Sequence, residues 1–600
     1  MLNRGQIWLD DRTGWKAFAR RLKNRPVPSR GRVGGSLGFA LAATILVEFV
    51  TGVLVSLVYS PSTGSAWGSV YYLSNHVAGG WLIRGIHRFG SYALVVLGVA
   101  WLARLVFAGL YHRPREFTWW LAVALVALLF ALGVTGNILP WDQRGYWAAV
   151  VETTIAGGLP GIGPAVRRLV VGGTEFGNAT LTRIHALHVL ILPGLLVGLG
   201  ALRLRLARRI DERPESIGRD CEPFWPRSAF LNLALASATL LVVIGFAVAN
   251  HGYTLDAPAD AASDDYPARP EWYFLPLYQL LRVFQGREII ATVLLPTAVA
   301  VGLLVLPILD RVVSRRLTRI AAETFLVTVL LASGYLTYQA WAKDAHGASF
   351  QAARAKADKL AGRALLIADR DGVPPEGSAY LLKLDPETRG RDLFAGKCQG
   401  CHNFDGAKSA EQWAPALAHY GSRAWIRGLL EKPDHPDYFG KAPQCGGMTE
   451  WKESSTATAE QLDKIADYVA TFAATPADMT PGEWLAEPAH KDHPGRAPYQ
   501  AECAQCHTFG DPAARDKKLQ PAPDLFAWGS ARWTARMIRQ PGHASLYGYL
   551  EEEQKMPAFE GQVTAADLDT LVRYLKDRPP SVATGPAEAT GMPAPTATGN

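Results

Sequence analysis

The chain has 600 residues, enough for several domains; 49% of them are hydrophobic and the formal net charge is +7. The basic residues lie in short segments between long apolar runs, so membrane topology explains the positive charge and nucleic acid is excluded as a partner. The long apolar runs end near residue 342 and a polar, proline-rich remainder follows, which predicts a membrane part and then a soluble part.

The membrane part begins with a charged segment, residues 1–33, in which WLDDRTGWKAFARRL is typical of an amphipathic surface helix. Seven apolar runs follow, and each reaches the length of about 20 residues that a bilayer-spanning helix needs. The predicted spans are 36–58, 81–108, 118–139, 184–206, 229–250, 289–309 and 321–341.

The basic residues between the spans predict the orientation of the chain. Lys and Arg number 22 on one side of the membrane and 7 on the other. The basic-rich segments are 1–33, 111–116, 203–227 and 311–319, and the opposite loops are 60–80, 140–183 and 251–287. Because cytoplasmic loops are enriched in Lys and Arg, we expect a cytoplasmic N-terminus and a periplasmic C-terminal part in a multi-pass protein of the inner (plasma) membrane.

Two of the spans carry histidine near their outer ends. His87 lies early in the second span and His188 early in the fourth, and both helices run inward, so the two imidazoles are expected at similar depth. A histidine inside a membrane is costly without a partner. The pair can hold one iron from opposite sides, although a hydrogen bond between helices is the alternative interpretation.

The soluble part contains two C-x-x-C-H motifs, CQGCH (398–402) and CAQCH (503–507), which are typical of covalently attached haem c. The predicted thioether residues are Cys398, Cys401, Cys503 and Cys506, and the predicted axial ligands are His402 and His507. Attachment of this kind takes place outside the cytoplasm, which agrees with the predicted orientation.

A repeat accompanies these motifs and predicts two copies of a small helical cytochrome c domain, at 387–475 and 494–577. In each copy a leucine, a tryptophan and a methionine recur at equal spacing: Leu417, Trp425 and Met448 in the first, and Leu525, Trp533 and Met556 in the second. The methionines are the predicted sixth ligands, while His435 and His543, each 13 residues before a methionine, remain alternatives. We expect residues 343–386 to form a polar helical linker and residues 578–600 to be a disordered tail.

Four segments of the membrane part, WLIRGIHRFGSY (81–92), GVTGNILPWDQRGYW (133–147), TLTRIHALH (180–188) and RPEWYFLPLYQLL (269–281), together resemble cytochrome b of the bc-type quinol:cytochrome c oxidoreductases, especially the chloroplast-like branch. The resemblance implies an all-α fold with a four-helix haem-binding part (34–222) and a three-helix quinone-site part (223–342). It also implies a Rieske iron–sulfur partner and a homodimer.

The same resemblance assigns residues to an outward quinol-oxidation site. Glu271 is the expected proton acceptor, and Tyr273 is expected to act with it. Pro270, Trp272, Trp141 and Asp142 are the expected walls of the quinone pocket, and Arg88 is expected to neutralise a haem propionate. From spacing alone, the favoured interpretation of Glu271 after Pro270 is the start of a helix.

The family carries a second b haem, held by histidines about four turns further inward; 14 residues advance roughly 21 Å along a helix. Counting from His87 leads to Trp101, and counting from His188 leads to Leu202 or Arg203, none of which is an ordinary haem ligand. The family's close-packing glycines are represented in the first span by Gly38 and Gly52. In the third span they are represented by Gly136, with Ala122 at the inner position. We therefore predict one haem b, bound by His87 and His188 beside Gly52 and Gly136.

The resulting prediction is an electron-transfer subunit that oxidises quinol from the membrane pool and passes electrons to its c haems and then to a soluble cytochrome or another periplasmic acceptor. The alternative is a non-bifurcating membrane anchor and electron conduit between the quinone pool and periplasmic cytochromes. The missing inner ligands favour the conduit, and the PEWY and PWDQ segments favour the quinol oxidase.

Overall fold

The structure is a computed structural model. It describes residues 2–28, 32–159, 161–173, 175–211, 221–263, 266–383, 385–404, 409, 414–439, 446–514 and 522–576; the predicted tail at 578–600 lies outside these residues. The described residues form two compact units, which divide after residue 381.

The first unit is helical. Its α-helices, in chain order, are α1 (Leu2–Thr13), α2 (Trp15–Lys23), α3 (Arg32–Ser56), α4 (Ala66–His76), α5 (Gly80–Phe107), α6 (Glu116–Ile138), α7 (Gln143–Gly157), α8 (Gly163–Val171), α9 (Asn178–Ala186), α10 (Leu192–Asp211), α11 (Arg227–Ala249), α12 (Leu275–Val283), α13 (Leu295–Val312), α14 (Arg315–His346) and α15 (Ala348–Asp371); α16 (Tyr380–Lys383) lies at the division. Two short strands, β1 (Pro26–Pro28) and β2 (Cys221–Pro223), pair antiparallel.

Seven helices of this unit are long and apolar enough to cross a membrane, which confirms the predicted all-α class and the seven spans. They are Gly35–Ser56, Gly80–Phe107, Glu116–Ile138, Asn178–Ile210, Arg227–Ala249, Ile290–Val312 and Arg315–His346.

Two of the spans contain a π-helical turn that ends two residues before a proline. One turn covers Leu187–Ile191 and precedes Pro193; the other covers Ile290–Leu294 and precedes Pro296. Proline has no backbone N–H to donate and its ring crowds the preceding turn, so a wider turn relieves both problems. The first of these turns contains His188.

Helices α3, α5, α6 and α10 pack around an apolar core that includes Leu97, Trp101, Trp119, Ala122 and Leu196. Helix α15, in the predicted linker, also belongs to the first unit. It buries a stripe of alanines at positions 357, 361, 364 and 368, spaced as one face of a helix requires.

The second unit is also helical. Its α-helices are α17 (Pro386–Lys397), α18 (Arg423–Glu431), α19 (Gly446–Ser454), α20 (Ala459–Ala470), α21 (Pro481–Ala486), α22 (Pro488–Lys491), α23 (Arg496–Glu502), α24 (Ala531–Arg539) and α25 (Ala565–Lys576). Helices α17 and α23 each end directly before a C-x-x-C-H motif.

Candidate functional site

Two histidines face each other inside the membrane unit. His87 lies in α5, and His188 lies in the π-helical turn before α10. Their ring centroids are 6.2 Å apart and the ring planes are at 85°. An imidazole nitrogen binds a metal at about 2 Å, so this separation suits a single ion shared by both rings.

The hydrogen-bond network assigns the tautomer of both rings. Thr51 donates its one hydroxyl proton to Val47 O, so it accepts from His87 Nδ1, 3.1 Å away. Thr135 donates to Ala131 O and accepts from His188 Nδ1, 3.0 Å away. With the proton on Nδ1, each ring has a free lone pair on Nε2, the atom that binds a metal in such an arrangement.

The two glycines predicted to lie against the b haem each adjoin one of these rings. A Cβ at Gly52 would lie 3.1 Å from His87 Cε1, and a Cβ at Gly136 would lie 2.7 Å from His188 Cε1. A larger residue at either position would displace the neighbouring imidazole, so the glycines preserve the facing arrangement.

A buried carboxylate also contacts this site. Glu48 Oε2 lies 3.1 Å from His87 Nδ1, and Glu48 Oε1 makes no hydrogen bond with the described residues. Glu48 was not among the predicted site residues, although a single carboxylate inside an apolar span is itself a signal of function.

Side chains pack together at the positions where the resemblance predicted the inner haem ligands. Trp101 is 7% exposed, and its Nε1 would lie 3.5 Å from a Cβ at Gly38. The Arg203 guanidinium lies over the Trp101 ring, 4.4 Å from its centroid, and its Nε donates to Thr118 O at 3.1 Å. Ala122 is fully buried in the same cluster. A cation stacked on an indole therefore lies where the family's inner ligands were expected.

Glu271 is held by two side chains of α5. Its Oε1 accepts from Arg88 Nη2 in a close ion pair, and its Oε2 accepts from the Tyr92 hydroxyl at 2.7 Å. Arg88 also donates to Asn137 Oδ1 and to the Tyr253 hydroxyl, both at 3.2 Å. Since Arg88 directly follows His87, the metal-site helix and the carboxylate are joined through one residue.

The other residues of the PEWY segment lie around this carboxylate. Trp272 and Tyr273 begin a short 3₁₀ turn that Glu271 precedes, and their rings lie 6.2 and 6.3 Å from the Tyr92 ring. Burial and the negative charge of Glu271 raise the pKa of Tyr273, so its hydroxyl stays protonated. Pro270 is partly buried and precedes Glu271 directly.

Trp141 and Asp142 have contacts of their own. Trp141 is buried in a cluster with Ile138 and Leu181. Asp142 begins α7, where its Oδ1 accepts from Gly145 N at 2.8 Å and its Oδ2 accepts from Asp256 N at 3.2 Å. These contacts fix the loop; lining of the quinone pocket by either residue stays a prediction.

A second carboxylate, Glu152 in α7, interacts electrostatically with both Glu271 and Tyr273. Its Oε2 is buried and makes no hydrogen bond with the residues that the structure describes. Burial, with a smaller contribution from the charge of Glu271, raises the pKa of Glu152 to about 8. Glu152 was not among the predicted site residues, because an isolated Glu after a helix-like run carries no motif.

The histidines of the two C-x-x-C-H motifs have the same tautomer as the membrane pair. His402 Nδ1 donates to Pro415 O at 2.8 Å, and His507 Nδ1 donates to Pro523 O at 2.9 Å. A carbonyl can only accept, so the ring proton is on Nδ1 and Nε2 carries a lone pair in both rings. Burial lowers the pKa of His402, which favours the neutral form that binds metal.

The alternative ligands have the opposite arrangement. His435 Nδ1 accepts from Asp437 N at 3.2 Å, and His543 Nδ1 accepts from Ser545 N at 3.2 Å. Each neutral ring then carries its proton on Nε2. Met448 and Met556 instead pack into apolar clusters with Cys503 and Cys398, respectively, which supports the methionines as ligands.

The donor sets therefore fit haem at three positions. His87 and His188 fit a bis-histidine haem b, and each motif offers two thiols and an unprotonated Nε2 for haem c. Among the described residues there is no cluster of three or more His, Cys, Asp or Glu side chains that could hold a metal ion.

Four family models match successive parts of the chain. Cytochrome b/b6/petB matches residues 22–210, and the C-terminal cytochrome b/b6/petD model matches 258–353. Cytochrome c matches 387–473, and cytochrome c oxidase, cbb3-type, subunit III matches 490–575.

Known cytochromes b resemble part of the chain at more than 30% identity. Cytochrome b6 of Synechococcus elongatus is 34% identical over 202 residues, which cover 34% of this chain and 94% of that protein. Cytochrome b of Rhodobacter capsulatus is 32% identical over 295 residues, covering 46% of this chain and 67% of that protein. A solved structure titled "Hyperthermophilic respiratory Complex III" matches with a TM-score of 0.49 at 24% identity, over 60% of this chain and 97% of that one.

Proposed function

Because the chain belongs to the cytochrome b/b6 family, we propose that it is the electron-transfer subunit of a membrane quinol:cytochrome c oxidoreductase and that it oxidises quinol at an outward-facing site beside Glu271. The observation that carries this proposal is the Glu271 carboxylate, which is 9% exposed and is held by Arg88 and Tyr92 next to His87. Haem groups at the three positions would supply one-electron transfer from quinol towards a periplasmic acceptor.

Glu271 is suited to accept a proton from a quinol hydroxyl. Both of its oxygens are hydrogen-bonded to α5, so the carboxylate is oriented before substrate arrives. Arg88 gives the carboxylate a charge-assisted hydrogen bond, and Tyr92 gives a neutral donor that a rotation of the side chain can replace. Trp272 and Tyr273 supply aromatic surface beside the carboxylate.

The proposal includes the sidedness and the partners expected from the sequence. The N-terminus is cytoplasmic and the cytochrome c domains are periplasmic. A Rieske iron–sulfur protein, the membrane quinone pool and a soluble cytochrome or other periplasmic acceptor are the partners, and the subunit is a homodimer.

The cofactor content is one haem b and two haem c. Trp101 and Arg203 occupy the inner positions, so the described part of the bundle offers one facing histidine pair. We expect a b:c ratio of 1:2 when the purified chain is assayed by pyridine haemochrome. A ratio of 2:2 would show that a second b haem is bound and would contradict the proposal.

The conduit remains the second candidate function, favoured by the same Trp101–Arg203 packing. The two functions differ in whether quinol reacts at the Glu271 site. An inhibitor of the stigmatellin type should stop quinol-dependent reduction of the c haems if quinol is oxidised there. Reduction that is insensitive to such an inhibitor would favour the conduit.

Glu152 gives a pH prediction. Its pKa of about 8 exceeds its ordinary value of 4.5, so the folded state binds this proton more tightly than the unfolded chain does. The corresponding stability is fully present below about pH 4.5 and is lost as the pH rises through about 8, at about 1.4 kcal/mol for each unit of difference in pKa.

We therefore expect the thermal stability of the detergent-solubilised protein to fall between pH 5 and pH 9 and to fall less in Glu152→Gln. The exposed Glu175 is the control, because Glu175→Gln should leave the pH profile unchanged. Equal slopes in wild type and Glu152→Gln would contradict the prediction.

A further inference from the structure

The helix before the first C-x-x-C-H motif packs on the last helix of the second cytochrome c repeat. Helix α17 leads to Cys398, and a Cβ at its Gly390 would overlap Tyr574 of α25. Arg389 forms a two-pronged ion pair with Asp567, at 3.0 and 3.2 Å. The helix that leads to the first motif therefore packs on a helix that follows the second motif in the chain.

The reverse packing occurs at the second motif. Helix α23 leads to Cys503, and a Cβ at the preceding Gly495 would overlap Lys464 and Tyr468 of α20. The carboxylate of Glu502 accepts from Trp451 Nε1 at 3.1 Å and from Ser455 Oγ at 2.9 Å. The helix that leads to the second motif therefore packs on helices of the first repeat.

Each of the two methionines also packs with the motif of the other repeat. Met556 packs in one apolar cluster with Phe394, Cys398 and Leu571. Met448 packs in another, with Tyr499 and Cys503. A cysteine of each motif thus belongs to the same apolar cluster as the methionine of the other repeat.

The chain crosses itself at two equivalent turns. His419 and Gly421 have φ of 60° and 81°, and Ala527 and Gly529, 108 residues later, have φ of 57° and 73°. A Cβ at Gly421 would lie 3.6 Å from Gly529 Cα, and the Tyr420 and Trp528 ring centroids are 5.1 Å apart. Left-handed turns by non-glycine residues are unusual. Their pairing marks the point where the two repeats exchange their C-terminal portions.

We propose that the two c haems have exchanged axial ligands: His402 acts with Met556, and His507 acts with Met448. The tandem is then one interlocked body, and neither repeat contains both axial ligands of its own haem. This inference depends on haem attachment at the two motifs and is independent of quinol oxidation.

The test uses the full chain with one c haem removed at a time. In Cys398→Ala/Cys401→Ala, the remaining c haem is attached at the second motif. We expect Met448→Leu to abolish its methionine-to-ferric-iron charge-transfer band and Met556→Leu to preserve it. In Cys503→Ala/Cys506→Ala, we expect the opposite pattern. Leucine keeps the apolar volume of methionine, which limits disturbance of the packing.

Loss of the band with the methionine of the same repeat, in both backgrounds, would overturn the proposal. The result does not depend on turnover, so a failure of quinol oxidation leaves it unaffected.

A second measurement keeps both c haems and covers the case in which a single-haem chain does not fold. In the first chain, Met448→Leu leaves only the charge-transfer band of the haem bound by Met556. In the second chain, Met556→Leu leaves only the band of the haem bound by Met448. Gly390→Ala should weaken the remaining band in the first chain and leave it in the second. Gly396→Ala, on the same helix but with nothing within 4 Å of its Cβ, is the control. If Gly390→Ala weakened the band in the Met556→Leu chain, either there alone or equally in both chains, the exchanged pairing would be overturned.

Discussion

Replacing His188 with alanine is expected to abolish the b-type absorbance of the purified protein while both c haems remain attached. His188 is one of two facing imidazoles, and its Nε2 lone pair is the one that Thr135 leaves free by accepting from Nδ1. Difference spectra after dithionite reduction measure the effect, and we expect quinol-dependent reduction of the c haems to fall to background as well.

His185 provides the matched control for this substitution. It lies three residues before His188, and its ring stacks on Tyr59 at 5.4 Å. His185→Ala should therefore keep the b-type absorbance. If His188→Ala retained a full b-type signal, the assignment of the ligand pair would be wrong, whatever the activity.

Replacing Glu271 with glutamine is expected to reduce the rate of quinol oxidation by about 10²-fold or more, the usual contribution of a positioned general base. Glutamine keeps the size of the side chain and its amide oxygen can still accept from Arg88, while its amide nitrogen would donate to the Tyr92 hydroxyl; it cannot take up a proton from quinol. The content of b and c haem should be unchanged, which separates this effect from loss of the cofactor.

The measurement is the initial rate of cytochrome c reduction with a quinol substrate, in membranes or detergent. Glu288, an exposed carboxylate that follows α12, is the control, and Glu288→Gln should retain the wild-type rate. A Glu271→Gln rate within twofold of wild type would rule out Glu271 as the proton acceptor, and the conduit would then be favoured.

The membrane fold was predictable because bilayer thickness fixes the length of an apolar helix. The seven predicted spans and the all-α class are confirmed. The π-helical turn at His188 was not predicted, because it arises from the local conflict between a continuing helix and Pro193, and hydrophobicity does not report that conflict.

The candidate site was predictable where a motif carries the chemistry, as at His87, His188 and the C-x-x-C-H pairs. It was not predictable where the contact joins distant segments of the chain. Arg88 was expected beside a haem propionate, and the structure pairs it with Glu271; a propionate contact stays a prediction. Glu48 and Glu152 were not predicted for the same reason. The residues they interact with, His87 for Glu48 and Glu271 for Glu152, belong to other segments of the chain.

The exchange between the cytochrome c repeats could not have come from sequence. Equal spacing of leucine, tryptophan and methionine identifies two copies, and the spacing is the same whether each copy closes on itself or on its neighbour. Contacts between the repeats, such as the packing of Gly390 on Tyr574 and of Gly495 on Tyr468, distinguish the two arrangements.

The Trp101–Arg203 stack has an energetic consequence for the cell. Moving one elementary charge across a membrane potential of 100 mV involves about 2.3 kcal/mol. Under the proposed function, electrons enter and leave on the same face of the membrane. Under the same proposal, the apolar packing around Trp101 holds no redox cofactor that could carry them to the opposite face. Turnover would then do no work against the electric field, and its rate should be the same in energised and uncoupled vesicles.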